Sequence, residues 1–484
     1  MRTLLTITCV ALLASSLRAD DWPNYRGPHH DGTSSETGWT TQWPPQGPPV
    51  LWKANVGTGL SSFAVGGGRA YTAGNTDNTD TIFCLDSNTG KVIWKHSYPS
   101  DLGAKFFDGG TTATPTLDNK RLYVIGRWGD LFSFDAASGK VIWQENIHTE
   151  TKIRVPGWGF SGSPLVMGDL LVLNVGEAGV AVNKRTGRII WKSASKDAGY
   201  STPVPMSADG KSLVVLSNAL AILAVDLQTG KQVWKMRWVT QYGANAADPI
   251  VNGDRVLISS AYGKGAALLQ SAEGEPKILW KSKVLRSHLN PGVPLGEFVY
   301  GFDGDKRNDA SLKCIEFATG KEKWSAKESG VGSLIIADGK LIVLNENGEL
   351  VIAPASPDGF KPIAHAQILG GTCWTSPVLS GGRIFCRNSR GDVVCLNVRG
   401  SDSDGPHAWL PIPTKTMFAG SLCPRRPFHV DRICADSRCA KCWARSSAFV
   451  PATIGTRSRS NRRIAIMPCR GCSFPSTAAR MSPL

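Results

Sequence analysis

Asp86-Ser-Asn-Thr-Gly-Lys-Val-Ile-Trp94 returns four more times without a gap. The copies are Asp135-Ala-Ala-Ser-Gly-Lys-Val-Ile-Trp143, Asn183-Lys-Arg-Thr-Gly-Arg-Ile-Ile-Trp191, Asp226-Leu-Gln-Thr-Gly-Lys-Gln-Val-Trp234 and Glu316-Phe-Ala-Thr-Gly-Lys-Glu-Lys-Trp324. A sixth, ending at Trp280, keeps the indole but has a reworked turn around Gly274. Recurrence in register marks a repeat architecture. Asp or Asn followed by Thr-Gly makes a tight turn, where Gly takes the positive φ that other residues resist. The next strand carries Trp, whose flat ring can cover a neighbouring sheet while its N–H finds a carbonyl.

Working outward, each copy is preceded by a small residue, Pro and an apolar run, then a turn and a second apolar run. Examples are Thr114-Pro115 leading to Leu122–Ile125, Ser163-Pro164 leading to Leu170–Leu173, and Ser376-Pro377 leading to Arg383–Phe385. Pro is tolerated at the head of a strand, where it removes no essential ladder bond. Four strands per unit is the composition of a propeller blade. Indoles at Trp52, Trp94, Trp143, Trp191, Trp234, Trp280 and Trp324 are spaced by 42 to 49 residues. A seventh unit, from Gly332–Ile336 to a last strand near His365–Ile368, lacks the tryptophan. An eighth, Thr375 to Leu396, has no fourth strand of its own, whereas Val50-Leu-Trp-Lys53 is a fourth strand with no blade before it. The expectation is an all-β, eight-bladed propeller over residues 50–400, made of four-stranded antiparallel blades and closed by the N-terminal strand.

The Asp-x-x-Thr-Gly-Lys-x-x-Trp pattern resembles the tryptophan-docking repeats of the pyrroloquinoline quinone (PQQ) type of propeller. That superfamily includes quinoprotein alcohol dehydrogenases and the outer-membrane assembly lipoprotein BamB. Asp21-Trp-Pro-Asn-Tyr-Arg-Gly-Pro28, Ala337–Leu344 and Cys373-Trp-Thr-Ser-Pro377 are similar to segments of a secreted, planctomycete-type subfamily. For the quinoprotein branch the resemblance implies PQQ over a tryptophan, a Ca²⁺ held by Glu, Asn and Asp, an Asp base, and often a disulfide between adjacent cysteines. This chain has no Cys-Cys pair, and its inner-strand entries (Thr111 to Thr114, Ser161 to Ser163, Tyr200 to Thr202, Ser376) are mostly hydroxylic. Calcium sites usually include carboxylates. For the BamB branch the resemblance implies a propeller that brings envelope proteins together, although the lipid-anchor cysteine is missing.

The remaining segments bound localisation and partners. Arg2, the apolar Leu4–Leu17 and small Ala19 read as a signal peptide over 1–19, and hence as export to the periplasm or cell surface. Residues 20–49 read as a solvated Pro/Gly-rich arm, whose His29-His30-Asp31 invites a weak metal reading. Beyond residue 400 the repeat grammar stops. Eleven Arg and two Lys against Asp431 and Asp436 follow residue 414, so most of the formal charge of +15 belongs to that tail and not to the repeats. Nucleic-acid binding would rest on the tail alone. Cys439/Cys442 and Cys469/Cys472 have zinc-pair spacing but are too far apart for a usual ribbon. The tail (401–484) reads as disordered or frame-shifted.

Cys84, Cys314 and Cys395 share a slot that elsewhere holds Ser133, Ala181 and Ala224, so they read as small core residues. Cys373 and Cys386 are candidates to face each other. Arg127, Trp128, Trp158, Phe160 and Trp374, on loops, are the candidate binding surface. The expected function is a monomeric, non-catalytic binding or scaffold propeller for a protein or glycan, requiring no cofactor. The alternative is a PQQ- and calcium-dependent dehydrogenase of alcohols or sugars. Catalytic residues and resident metals are assigned to no position.

Overall fold

A computed structural model describes residues 21–105, 107–305, 309–327 and 331–400. The signal-peptide reading and the tail cysteines lie outside the described residues. Eight sheets are arranged as the repeat implies. Blade one runs from inner to outer strand as Ala64–Gly66, Arg69–Thr76, Thr79–Asp86 and Val92–Pro99. Blades two to seven have inner strands Thr116–Asp118, Leu165–Met167, Val204–Ala208, Ile250–Asn252, Val293–Leu295 and Gly332–Ala337. Their outer strands are Val141–Asn146, Ile189–Lys192, Gln232–Arg237, Lys277–Ser282, Glu322–Ala326 and Ala364–Gln367. Blade eight takes Val378–Leu379, Arg383–Arg387 and Asp392–Asn397 from the C-terminal end, and Val50–Asn55 as its outer strand. Trp52 pairs with Cys395 there, which closes the ring. Among the described residues no helix is long and apolar enough to cross a membrane.

The repeat nonapeptide forms a link between blades. In blade one, Asp86 Oδ1 accepts from Asn88 N, Thr89 N and Thr89 Oγ1 at 2.8 to 3.1 Å, which folds the turn and holds the carboxyl below its usual range. Gly90, at φ +69°, lies against the Trp52 ring, and a Cβ there would sit 2.6 Å from the indole. Trp52 Nε1 donates to Ser87 O in that same turn, at 3.0 Å. The arrangement recurs as Trp94 to Ala136 O, Trp143 to Lys184 O, Trp191 to Leu227 O and Trp280 to Phe317 O, each indole seated on the turn glycine of the next blade. Trp324 reaches Ser356 O at 2.8 Å and packs on Phe360. In every blade whose outer strand carries the tryptophan, pairing slips by one residue next to it; blade seven, without one, has no slip. Cys84, Cys314 and Cys395 pair directly across from Trp94, Trp324 and Trp52.

Trp234 departs from this pattern. It is fully buried, but its Nε1 has no acceptor, and nothing lies within 4 Å of a Cβ built on Gly274. Backbone bonds replace the indole link: Lys235 N donates to Gly274 O and Gly274 N to Val233 O.

The arm is not solvated, contrary to the reading of its composition. Trp22 is 1% exposed and pairs with Val65, while Leu117 N donates to Pro23 O. Arg26 Nη2 donates to Gly292 O in blade six at 2.9 Å and also to Asp31 O. Thr33–Ser34 adds a fifth, parallel strand to blade seven, beside Ile336–Ala337. Glu36 accepts from Gly381 N and Gly382 N in blade eight. Trp39 is bridged to Arg399 with the Lys340 ammonium over its ring, so the arm occupies the junction of blades seven and eight. The composition misleads because Pro and Gly report the absence of periodic structure, not exposure; the arm's burial comes from partners in blades one, two, six, seven and eight.

Candidate functional site

At the heads of the inner strands of blades two to five, one side chain accepts from the backbone of the blade before it. Ser62 N donates to Thr114 Oγ1 (2.9 Å), Thr114 N to Ser163 Oγ (2.9 Å), Ser163 N to Thr202 Oγ1 (3.2 Å) and Thr202 N to Asp248 Oδ1 (2.7 Å). Asn290 Nδ2 continues towards Gly332 O and Trp374 O, and Ser62 Oγ donates to Ser376 O. The residue preceding proline is driven to extended backbone, and Pro115, Pro164, Pro203, Pro249, Pro291 and Pro377 follow six of these positions. Each latch residue needs a single acceptor or donor, which explains why hydroxyls dominate.

Above this ring the loops entering the inner strands enclose a cavity of about 250 Å³. Its walls carry Phe107, Trp158, Tyr200, Tyr262, His288 and Trp374; Thr112, Ser161, Ser163, Thr202, Asp248 and Asn290 supply the polar groups. Tyr25 of the arm also lines it, donating from its hydroxyl to Asn290 Oδ1. The arm's other contacts run from Gly292, at the head of blade six, to the far ends of inner strands at Val65, Leu117 and Ile336. The aromatic groups brace one another. Trp158 meets Tyr200 edge to face at 5.4 Å, and Tyr262 contacts Tyr242 (5.4 Å) and His288 (5.3 Å) in the same way. Tyr262 Oη lies 2.8 Å from His288 Nε2, and burial keeps that imidazole below its usual pKa. Tyr242 and Tyr262 both have positive φ, +69° and +55°, conformations that bulky residues adopt only when their surroundings enforce them.

Asp248 is the odd member. It is 4% exposed and burial pushes its pKa up to about 7, although Arg26 and the Thr202 N–H pull in the other direction. Its Oδ1 serves the latch, while Oδ2 accepts no hydrogen bond. Among mostly hydroxylic inner-strand entries Asp248 does not stand out in the sequence; the dipeptide Asp248-Pro249, in the slot of Thr114-Pro115 and Ser163-Pro164, is the signal that marks it.

Of the loop residues singled out in the sequence, Trp158 and Trp374 line the cavity. Phe160 does not: it is 1% exposed, within the core between blades two and three. Arg127 is likewise buried, at 2% exposure, and its guanidinium donates to Gly103 O and Gly110 O. Half-buried Trp128 donates from Nε1 to Asp101 O. The pair therefore anchors the loop that brings Phe107 to the cavity, with the Arg127 guanidinium 5.1 Å from the Phe107 ring. The seven docking tryptophans are remote from it, at the turns between third and outer strands. Cys373 and Cys386 are buried free thiols, raised in pKa by burial. His29 is exposed, His30 is held at about 4 by burial, and Asp31 caps Thr33. Among the described residues no three His, Cys, Asp or Glu side chains gather as a metal site.

PQQ is a planar tricarboxylate, and a calcium partner requires several oxygen ligands. Among the described residues the cavity wall holds no Lys or Arg to meet three carboxylates and a single acidic side chain, Asp248. The residues present do not fit that pair.

A family profile described as outer membrane protein assembly factor BamB matches residues 31–144 and 105–326. BamB of Yersinia pestis is 24% identical over 376 residues, covering 72% of this chain and 88% of that protein. The dehydrogenase subunit of the quinone-dependent alcohol dehydrogenase of Gluconobacter oxydans is also 24% identical, but this chain covers only 46% of it. Among solved structures, BamB from Moraxella catarrhalis superposes with a TM-score of 0.55 at 16% identity, covering 72% of this chain and 99% of that one. With the blades, their linking turns and the matched span in agreement, the chain belongs to the BamB-type family of PQQ-like β-propellers.

Proposed function

We propose that this protein is an exported, non-catalytic propeller that binds a protein of the cell envelope through the loops around the cavity mouth. The observation that carries this is the cavity itself: it lies among the entry loops, is walled by aromatic rings with Tyr25 of the arm in its lining and, among the described residues, is short of the charges that the quinone cofactor requires. Rigid aromatic rings on loops supply large contact area with little entropy to lose. The family supports a binding role, since several relatives bear the name of an assembly factor. The quinoprotein relatives keep the dehydrogenase as the alternative.

Two measurements on the full chain test the reading. A photo-crosslinking residue at position 242, beside the mouth and 65% exposed as Tyr, should give a discrete adduct in the envelope of producing cells. The same residue at exposed position 120, on the opposite side, should not. Equal labelling from both sides, or none, overturns it. So does dye reduction with alcohols or sugars after addition of PQQ and Ca²⁺.

A further inference from the structure

We infer that the cavity is a receptor for an alkylammonium group, a primary amine on a narrow apolar stem, with the free oxygen of Asp248 as its counter-charge. The inference rests on the binding reading above and names what that site recognises.

The latch around the channel supplies the argument. In blades two, three and four the position is Thr114, Ser163 and Thr202, and one hydroxyl oxygen accepts the neighbouring N–H. Asp248 performs the same task with Oδ1 alone. Its second oxygen takes no part in the latch and is buried without a donor. An unpartnered buried acceptor disfavours folding, and a buried unpaired carboxylate more so. Asn290, the next member, shows the contrast, because both ends of its amide are committed: Oδ1 to Tyr25 and Ser376, Nδ2 to Gly332 and Trp374. Among the members of this ring only Asp248 keeps an acceptor without a donor, on a side chain that lines the cavity.

The surroundings select the donor. Among the described residues no Lys or Arg lines the cavity, and burial lowers the pKa of His288, favouring its neutral form. Arg26, whose charge favours the ionised carboxyl, donates to Asp31 O and Gly292 O; its Nε and Nη1 have no acceptor, and it makes no hydrogen bond to Oδ2. Aromatic rings attract a cation through their faces and tolerate its alkyl stem. An anion would meet an unpaired carboxylate at the floor. A neutral alcohol would satisfy Oδ2 but bring no charge of its own to a carboxylate that Arg26 leaves without a hydrogen bond.

Such a head group arrives either as a free amine or as a lysine side chain of a partner, and two probes distinguish these sources. Intrinsic fluorescence of the intact protein, in which Trp158 and Trp374 line the cavity, is titrated with n-butylammonium and with Nα-acetyl-lysine amide; 1-butanol and butyrate serve as controls. Saturable binding of one or both ammonium probes is expected, at least tenfold tighter than either control. Tighter binding of the lysine derivative assigns a protein source, and tighter binding of butylammonium a free amine. Asp248→Asn retains an acceptor for Thr202 N and should weaken both at least tenfold without loss of the folded state. Butanol binding as well as the amine, no saturation, or an unaffected Asn variant overturns the inference. Crosslinking at position 242 with no ammonium binding would leave the partner-binding reading standing and this one refuted.

Discussion

The indole of Trp143 lies on Gly187 of the following blade, so close that a Cβ on that glycine would sit 2.9 Å from the ring, and its Nε1 donates to Lys184 O at 3.1 Å. Ring and turn belong to different blades, yet each is half of the same nine-residue repeat. Trp143→Ala should destabilise by about 3–5 kcal/mol, the range for large core truncations. Gly187→Ala should also destabilise, since its φ of +77° and the ring both oppose a side chain. Urea unfolding of the two variants checks both, and a wild-type midpoint for either would contradict the linkage.

Trp234 provides the internal control. Its N–H has no acceptor and its blade is joined by backbone bonds at Gly274. Trp234→Phe removes an unpaired buried donor, whereas Trp143→Phe discards a made hydrogen bond, worth about 1 kcal/mol. The first substitution should therefore destabilise less than the second in parallel thermal melts. The reverse order would show that ring volume alone matters.

Trp22→Ala should behave as a core substitution and not as a change in a loose arm. With the side chain 1% exposed, a loss of about 3–5 kcal/mol is expected. A change under ~0.5 kcal/mol in chemical denaturation, typical of surface sites, would mean that the arm is detached in solution.

Asp248 ties stability to pH. Its folded pKa, about 7, lies above the unfolded carboxyl value, near ~4. Below that lower value both states are protonated and nothing is lost. As pH rises from there towards 7, the unfolded chain releases the proton first, so stability falls, and it levels off above the folded pKa. The full drop is on the order of 4 kcal/mol. Asp248→Asn should flatten this slope and be more stable than the parent at pH 8, with little difference at pH 4. Equilibrium unfolding across that range measures it.

The architecture was readable because each blade announces itself locally: Asp, Gly and Trp recur at fixed spacing, and the unpaired strand around Trp52 had one vacant place to go. What escaped is non-local. Trp22, Arg26 and Trp39 sit in a stretch with no period, and only the finished ring shows what covers them. Arg127 and Phe160 have the composition of a recognition loop but face inward, because the backbone of residues 103–110 and the core between two blades take them up. Asp248 was hidden differently. Its position follows the repeat, and only its spare oxygen marks it out, which no spacing reveals.

The arm's contacts also dictate a timetable. Glu36 is held by Gly381 and Gly382, and Thr33 lies beside Ile336, so the stretch that leaves the ribosome early finds its place only after nearly all the rest exists. Contacts of such separation are slow to form. Until the last sheet is delivered, Glu36, Thr33 and the strand around Trp52 all lack the partners that hold them in the closed ring.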